Sequence, residues 1–366
     1  MIFLRGKYNT AKVFTDNLEP LARAQIERLL DQPFVSGSQI RIMPDVHAGA
    51  GCTIGTTMTI KDQVVPNLVG VDIGCGMAVA VLEQDDLDLA RLDRLIHQAI
   101  PAGFSVRKTV HPLHSERELQ QLRCLSAINA DRARLSVGTL GGGNHFIELD
   151  RDDDGRLYLV IHTGSRHLGK QAAEHYQREA ARAPAGSGIE RDLAPCEGRL
   201  LDDYLHDMAL IQRYADRNRQ AILEELVRLL RLDIADSWST IHNYIDLDSR
   251  ILRKGAVSAR SGERLLIPIN MRDGSLVCLG KGNRDWNESA PHGAGRLMSR
   301  TQAKKTISLD DYRRSMAGIY TSTVNRDTLD EAAFAYKPLD EILENIGDTV
   351  TVVRRIRPIY NFKAAE

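Results

Sequence analysis

Five histidines stand beside glycines or at the ends of apolar runs, where an imidazole can be aimed at a ligand: His47, His145, His162, His167 and His292. The segments that carry them are M-P-D-V-H-A-G-A-G, G-G-G-N-H-F-I-E, I-H-T-G-S-R-H-L-G and A-P-H-G-A-G-R. A further segment, G-V-D-I-G-C-G-M at 70–77, puts Asp72 and Cys75 three residues apart on a glycine-rich turn. A carboxylate and a thiolate on one tight turn can converge on a divalent cation, and sulfur has lone pairs enough to bridge two. Taken alone, Cys75 reads as a buried structural cysteine at a strand entrance. The histidines elsewhere in the chain tip the reading towards metal.

In the 141–148 segment the glycines expose backbone amides to an anion, and His145 precedes a strand that can point it at the same site. Asn144 and Glu148 share one face of an extended run, so Asn144 can bond phosphate and Glu148 can accept from a base or a sugar. His162 ends an apolar strand, a common ligand position, with Arg166 following as a phosphate clamp. His167 reads as exposed. His242, after the apolar stretch 234–238, reads by itself as a core histidine. His292 is followed by small residues that leave room for a large substrate. It can serve as base, ligand or nucleophile, with Arg296 supplying charge. Arg300, Lys304, Lys305, Arg313 and Arg314 form either a solvated helix face or a phosphate track. His97, His111, His114, His175 and His206 read as solvated.

The elements that must hold these residues alternate irregularly. A helix pattern opens at Asn17, has Pro20 in its first turn and runs towards Asp31. Ile40 to Met43 reads as a short strand ended by Pro44, Met77 to Leu82 as a buried strand, and Leu87 to Ile100 as an amphipathic helix. Two hairpins are expected, 146–149 with 157–161 and 265–269 with 276–279. The longest helix signal starts near Asp203, with Leu205, Met208, Ile211, Ala215, Ile222, Leu226 and Leu229 on one face. Ser308 and Asp311 have the spacing of a capping box, 350–356 is a β-branched run, and 184–188 is a surface loop. This pattern favours one large α/β or α+β domain.

Composition sets the limits. The chain has 366 residues, 43% hydrophobic, with 48 Lys plus Arg against 49 Asp plus Glu. A net charge of -1 excludes a generally basic surface, so contact with nucleic acid must be a local patch. No apolar stretch approaches the ~18 residues of a membrane span. Five scattered cysteines without a C-x-x-C pair argue against a disulfide framework and for a reducing compartment. The phosphate loop and the dinucleotide fingerprint are absent. The nearest approach to a lysine-nucleophile K-x-D-G motif has Met271 in place of the lysine.

Together the motifs resemble the RtcB family of RNA 3′-phosphate/5′-hydroxyl ligases. The match covers M-P-D-V-H (43–47), G-V-D-I-G-C-G-M (70–77), G-G-G-N-H-F-I-E (141–148) and I-H-T-G-S-R (161–166). It continues through H-N (242–243), R-K-G-A (253–256), H-G-A-G-R (292–296) and Lys363. His167, the 267–280 hairpin and the residues after Lys363 depart from the family pattern. The resemblance implies a single α+β catalytic domain over residues 1–366, with mixed sheets around a central dinuclear metal cleft. It implies two Mn2+ ions bound by Asp72, Cys75, His145, His162 and His242, Cys75 bridging. It implies GTP held by Asn144, Glu148, Ala294, Gly295 and Lys363. His292 is then the nucleophile that becomes guanylylated, and Arg166 and Arg296 handle phosphate. The expected substrates are RNAs with 3′-phosphate or 2′,3′-cyclic phosphate ends and RNAs with 5′-hydroxyl ends. The expected context is tRNA splicing or RNA repair by a cytoplasmic monomer with no membrane attachment, with an archease-type activator as a partner. The rival readings are a dinuclear phosphoesterase acting on RNA ends without a covalent intermediate and a non-catalytic RNA-binding factor.

Overall fold

The strand Gly76–Leu82 is apolar on both faces, and the fold explains why. Met77 and Val79 point into one buried cluster, Ala78, Ala80 and Leu82 into another. A strand covered on both sides reads as a continuous apolar run. In the computed structural model, which describes residues 1–186 and 188–364, this strand lies within an antiparallel seven-stranded sheet. The order is Ile234–Ile241, Gly76–Leu82, Leu157–Thr163, Phe146–Arg151, Val350–Lys363, Gly274–Gly280, Arg264–Asn270. The sheet curls until its two edge strands meet. There the Arg264 guanidinium stacks 3.9 Å from the Trp238 ring centre and pairs with Asp236. Met77, Val79, Phe146, Val160, Leu266 and Ile356 fill the inside of the curl. The outer face packs on the helix Leu89–Ala99 and on the C-terminal part of the helix Gly198–Leu230.

A second, mixed sheet of six strands runs Ile2–Arg5, Thr10–Val13, Ile40–His47, Ile54–Thr59, Ile251–Lys254, Asn243–Asp246. Only the pair formed by Thr10–Val13 and Ile40–His47 is parallel. Its core joins Ile40, Ile42, Met58 and Leu252 to Ile26 and Leu29 of the helix Pro20–Leu30 and to Tyr176 of the helix Arg166–Arg182. The 33-residue helix Gly198–Leu230 is about 50 Å long. Its Tyr204 to Ala221 stretch packs into this core, and Ile222 and Leu226 into the other, so one rigid rod spans both.

Most expected elements are present. Both hairpins form, and Ser308 caps its helix by accepting from the Asp311 amide. Several boundaries differ. The first helix begins at Pro20 behind Glu19, not at Asn17. The strand from Ile40 does not stop at Pro44 but runs to His47. Its register with Ile54–Thr59 shifts between Ile42 and His47, and a proline is tolerated at such an irregularity because no ladder donor is needed there. The β-branched run continues to Lys363, because residues 357–363 pair with Phe146–Arg151. The stretch 234–238 belongs to an edge strand that is largely exposed. Of the histidines read as solvated, His111 is buried, and the His114 side chain is covered and pairs with Glu116 at 3.1 Å. Pro184–Gly186 forms a short helical turn; residue 187 lies outside the described residues. Among the described residues no helix is long and apolar enough to cross a membrane.

Candidate active site

The glycine turn delivers Cys75 to the start of Gly76–Leu82, one neighbour of which carries His162 just before its last residue, while the other leads into His242. Cys75 Sγ lies 3.3 Å from His162 Nε2 and 3.5 Å from His145 Nε2. His162 Nε2 lies 3.4 Å from His242 Nε2, and Asp72 Oδ2 lies 3.0 Å from His145 Nε2. The five residues form two overlapping groups, Cys75–His162–His242 and Asp72–Cys75–His145. Within each group the ligand atoms lie within 4.8 Å of one another, and the sulfur belongs to both.

Two of the imidazoles are oriented from behind. His145 Nδ1 donates to the Leu140 carbonyl at 2.9 Å, and His162 Nδ1 donates to the Asn144 carbonyl at 3.1 Å. Their Nε2 lone pairs are thereby left for the shared centre. Burial holds His162 and His242 neutral, well below the usual histidine range. Burial, reinforced by the Asp72 charge, pushes the Cys75 thiol up, so a cation must compete for its proton. Asp72 is ionised in spite of its burial, held low by His145 and Arg166. One thiolate, three imidazoles and a carboxylate in two groups with a common sulfur fit a pair of divalent cations.

The long helix fixes this cluster. Buried Arg219 donates to the Gly74 carbonyl at 2.7 Å and to the Thr163 carbonyl at 3.1 Å. Asn218 accepts from the Gly138 amide and donates to the Gly164 carbonyl. Both residues tie the turn, the strand end and the glycine loop to one rod. Neither was singled out in the sequence, because a polar residue inside a helical pattern reads as surface.

His292 follows the short strand Ser289–Pro291, which pairs with Ala256–Ser258. Its Nδ1 donates to Asp45 Oδ2 at 2.7 Å, and its ring centre is 4.8 Å from that of His242. Asp45 is wholly buried in the strand Ile40–His47. The sequence showed this aspartate only as a letter in M-P-D-V-H. The close fit depends on Gly295, whose φ is +79° and where a Cβ would run into the Asp45 carbonyl.

Over this floor opens a cleft of about 490 Å³. One wall comes from the seven-stranded sheet, with Met77, Asn144, Phe146, Glu148, His162, Lys363 and the hairpin residues 268–271. A second wall, from the six-stranded sheet and the start of the helix Pro20–Leu30, carries Glu19, Leu21, His47, Ala48 and Ile54, and the rim carries Ala294 to Arg296, Met298 to Arg300, Glu331 and Tyr336. Asn144, Glu148, Ala294, Gly295, Lys363, Arg296 and His292 therefore share one cavity. Arg166 is not among its lining residues: its guanidinium packs behind the His145 ring and donates to the Gly103 carbonyl. Arg296 donates to the Asp330 and Met298 carbonyls and to Tyr336, so it braces the rim. Lys363 pairs with the buried Glu331. Burial lifts Glu148 to about 7, although Asn361 donates to it at 2.6 Å and Lys363 lies near. Glu331 and Tyr336 also went unremarked in the sequence, where no glycine or histidine flags them.

The comparisons with known proteins agree with one another. The family model described as tRNA-splicing ligase RtcB matches residues 25–124 and 107–364. The RNA-splicing ligase RtcB of Escherichia coli strain K12 is 33% identical, over 93% of this chain and 94% of its own. The RNA-splicing ligase RtcB of Mycobacterium tuberculosis strain H37Rv is 31% identical, over 82% and 91%. The tRNA-splicing ligase RtcB of Aeropyrum pernix is 29% identical, over 87% and 86%. The chain thus belongs to the RtcB family of tRNA-splicing ligases and is an RNA ligase.

Proposed function

We propose that this ligase consumes GTP and manganese to join RNA 3′-phosphate or 2′,3′-cyclic phosphate ends to 5′-hydroxyl ends through a guanylylated His292. The observation that supports this best is the setting of His292. Its Nδ1 hydrogen is committed to Asp45, so Nε2 is the nitrogen left to attack, and the ring stands beside the ligand cluster. Asp72, Cys75, His145, His162 and His242 would hold two divalent cations, which supply charge neutralisation for an incoming triphosphate.

The chain's own residues do the rest. Asp45 fixes the tautomer and stabilises the positive charge that grows on the ring as Nε2 attacks the α-phosphorus and pyrophosphate leaves. Glu148, as carboxylate, accepts from the donor edge of guanine, and Lys363 serves the neighbouring acceptor. Asn144, Ala294 and Gly295 line the space between base and phosphate. GMP then passes to the RNA 3′-phosphate, and the 5′-hydroxyl of the second strand displaces it. Action as a cytoplasmic monomer, with an archease-type activator, belongs to the same proposal.

The test is incubation with labelled GTP and Mn2+. An acid-labile, base-stable GMP adduct that vanishes in His292→Ala is the expected result. Opening of cyclic phosphate ends with no adduct in the wild-type protein would replace this reading with a metal-dependent phosphoesterase.

A further inference from the structure

Asp45 orders a second imidazole besides that of His292. The carboxylate takes the Nδ1 proton of His292 at 2.7 Å, and the backbone carbonyl of the same residue takes the Nδ1 proton of His47 at 2.9 Å. A carbonyl can only accept, so His47 Nδ1 must carry a hydrogen, and in the neutral ring that burial favours Nε2 is bare. Both histidines line the same cleft. The residues after His47 are latched in place. Glu19 accepts from the Ala48 amide at 2.6 Å, and Gln25 both donates to the Gly49 carbonyl and accepts from its amide. A fixed tautomer on a fixed loop, facing a substrate cavity, is more than packing requires, and the guanylylation chemistry does not use it.

Its position suggests which proton it takes. The base-recognising groups Glu148 and Lys363 belong to the wall built from the seven-stranded sheet, whereas His47 belongs to a second wall, at the end of a strand of the six-stranded sheet. In the sealing step GMP leaves from the RNA 3′-phosphate, and in-line displacement brings the attacking hydroxyl from the side opposite the leaving group. With the guanine end of GMP on the first wall, the attacking strand arrives at the second. We infer that His47 Nε2 is the general base that accepts the proton of the RNA 5′-hydroxyl during sealing. The 5′-oxygen forms a bond to the 3′-phosphorus, the bond from that phosphorus to the GMP oxygen breaks, GMP departs, and the hydroxyl proton moves to His47. This inference rests on the ligase reading above.

The surroundings are compatible with the role. Besides Asp45, the charged or titratable groups acting on this ring are His292 and Arg296. Burial holds His47 at about 4 in the protein alone, so it enters the reaction neutral. The phosphates of the arriving strands favour the imidazolium and raise its basicity towards working pH.

The experiment separates the steps. Full-length protein with Mn2+ is assayed for GMP-adduct formation and for sealing of a presynthesised RNA carrying GMP on its 3′-phosphate to a 5′-hydroxyl strand. His47→Asn is the main variant, because its side-chain amide can still donate to the Asp45 carbonyl while offering no base. We expect adduct formation within about twofold of wild type and sealing lower on the order of 10²-fold. Added imidazole should restore sealing in His47→Gly. Sealing at the wild-type rate in His47→Asn, or an equal loss in both steps, would overturn the inference. Failure of the wild-type protein to form an adduct would instead remove the ligase reading beneath it.

Discussion

The floor of the cleft and its basic surroundings handle charge in opposite ways. On the floor, Asp72, Cys75, His145, His162 and His242 are fixed by backbone carbonyls, by Asn218 and by Arg219, and most are buried. Around the rim the cations are shared out to acids: Arg300 and Lys304 with Asp330, Arg313 with Asp310, Arg314 with Asp311. A buried, prepositioned group acts in low dielectric and changes a barrier by kilocalories. An exposed, paired cation is screened by salt and contributes tenths. Changes in the first region should therefore stop chemistry, and changes in the second should only tune binding.

The sharpest break is Cys75→Ala, which removes the atom common to both ligand groups. Metal content measured by mass spectrometry should fall, and both GMP-adduct formation and sealing should drop by roughly 10³-fold or more. An adduct formed at the wild-type rate would show that the sulfur is structural. Asp45→Asn should come next. The amide has the size of the carboxylate but cannot hold the imidazolium, so adduct formation should fall on the order of 10²-fold or more. Metal content should be unchanged, because Asp45 is in neither ligand group. Equal loss of metal in both variants would erase the distinction between nucleophile support and metal support.

The sequence exposed the floor better than the rim for a physical reason. Asp72, Cys75, His145 and His292 sit beside glycines, because a backbone that must approach a ligand or another strand leaves that signature. Even His242, which alone resembled a core residue, was placed by its motif. Asp45, Asn218 and Arg219 act through hydrogen bonds to segments distant in sequence, and such pairings have no local pattern. The curl of the seven-stranded sheet was hidden too, because Trp238 and Arg264 meet only when its edges close. Arg354 and Arg357 share a strand with Lys363 but lie about 20 Å or more along it. There they pair with Asp152, Asp153 and Asp154, so they are not continuous with the rim.

A pH experiment tests the interior wall. Burial raises Glu148 to about 7, above its unfolded value, and raises Asp150 beside it as well. A carboxyl raised on folding contributes stability that is complete below the unfolded pKa and is lost as pH rises through the folded one. Thermal midpoints should therefore fall from about pH 4.5 to about 7, by an amount equivalent to roughly 1–3 kcal/mol. Glu148→Gln should flatten that part of the profile. It should also weaken GTP binding, whereas a profile unchanged in the variant would place the titration elsewhere.

The smallest effect belongs to Arg313 and Arg314. Both are largely exposed on the helix Leu309–Ser315, and each pairs with an aspartate three residues earlier on it. Their charge is already partly neutralised, so they can add only modest attraction for an RNA backbone. Reversing both to glutamate should reduce sealing by about three- to tenfold at low salt while leaving GMP-adduct formation intact. The deficit should shrink as salt rises, because wild type loses its released counterions over the same range. A loss of adduct formation of the same size would mean that this helix supports the cleft mechanically. Its neighbour Tyr312, buried against Met271 of the cleft wall, would then be the link.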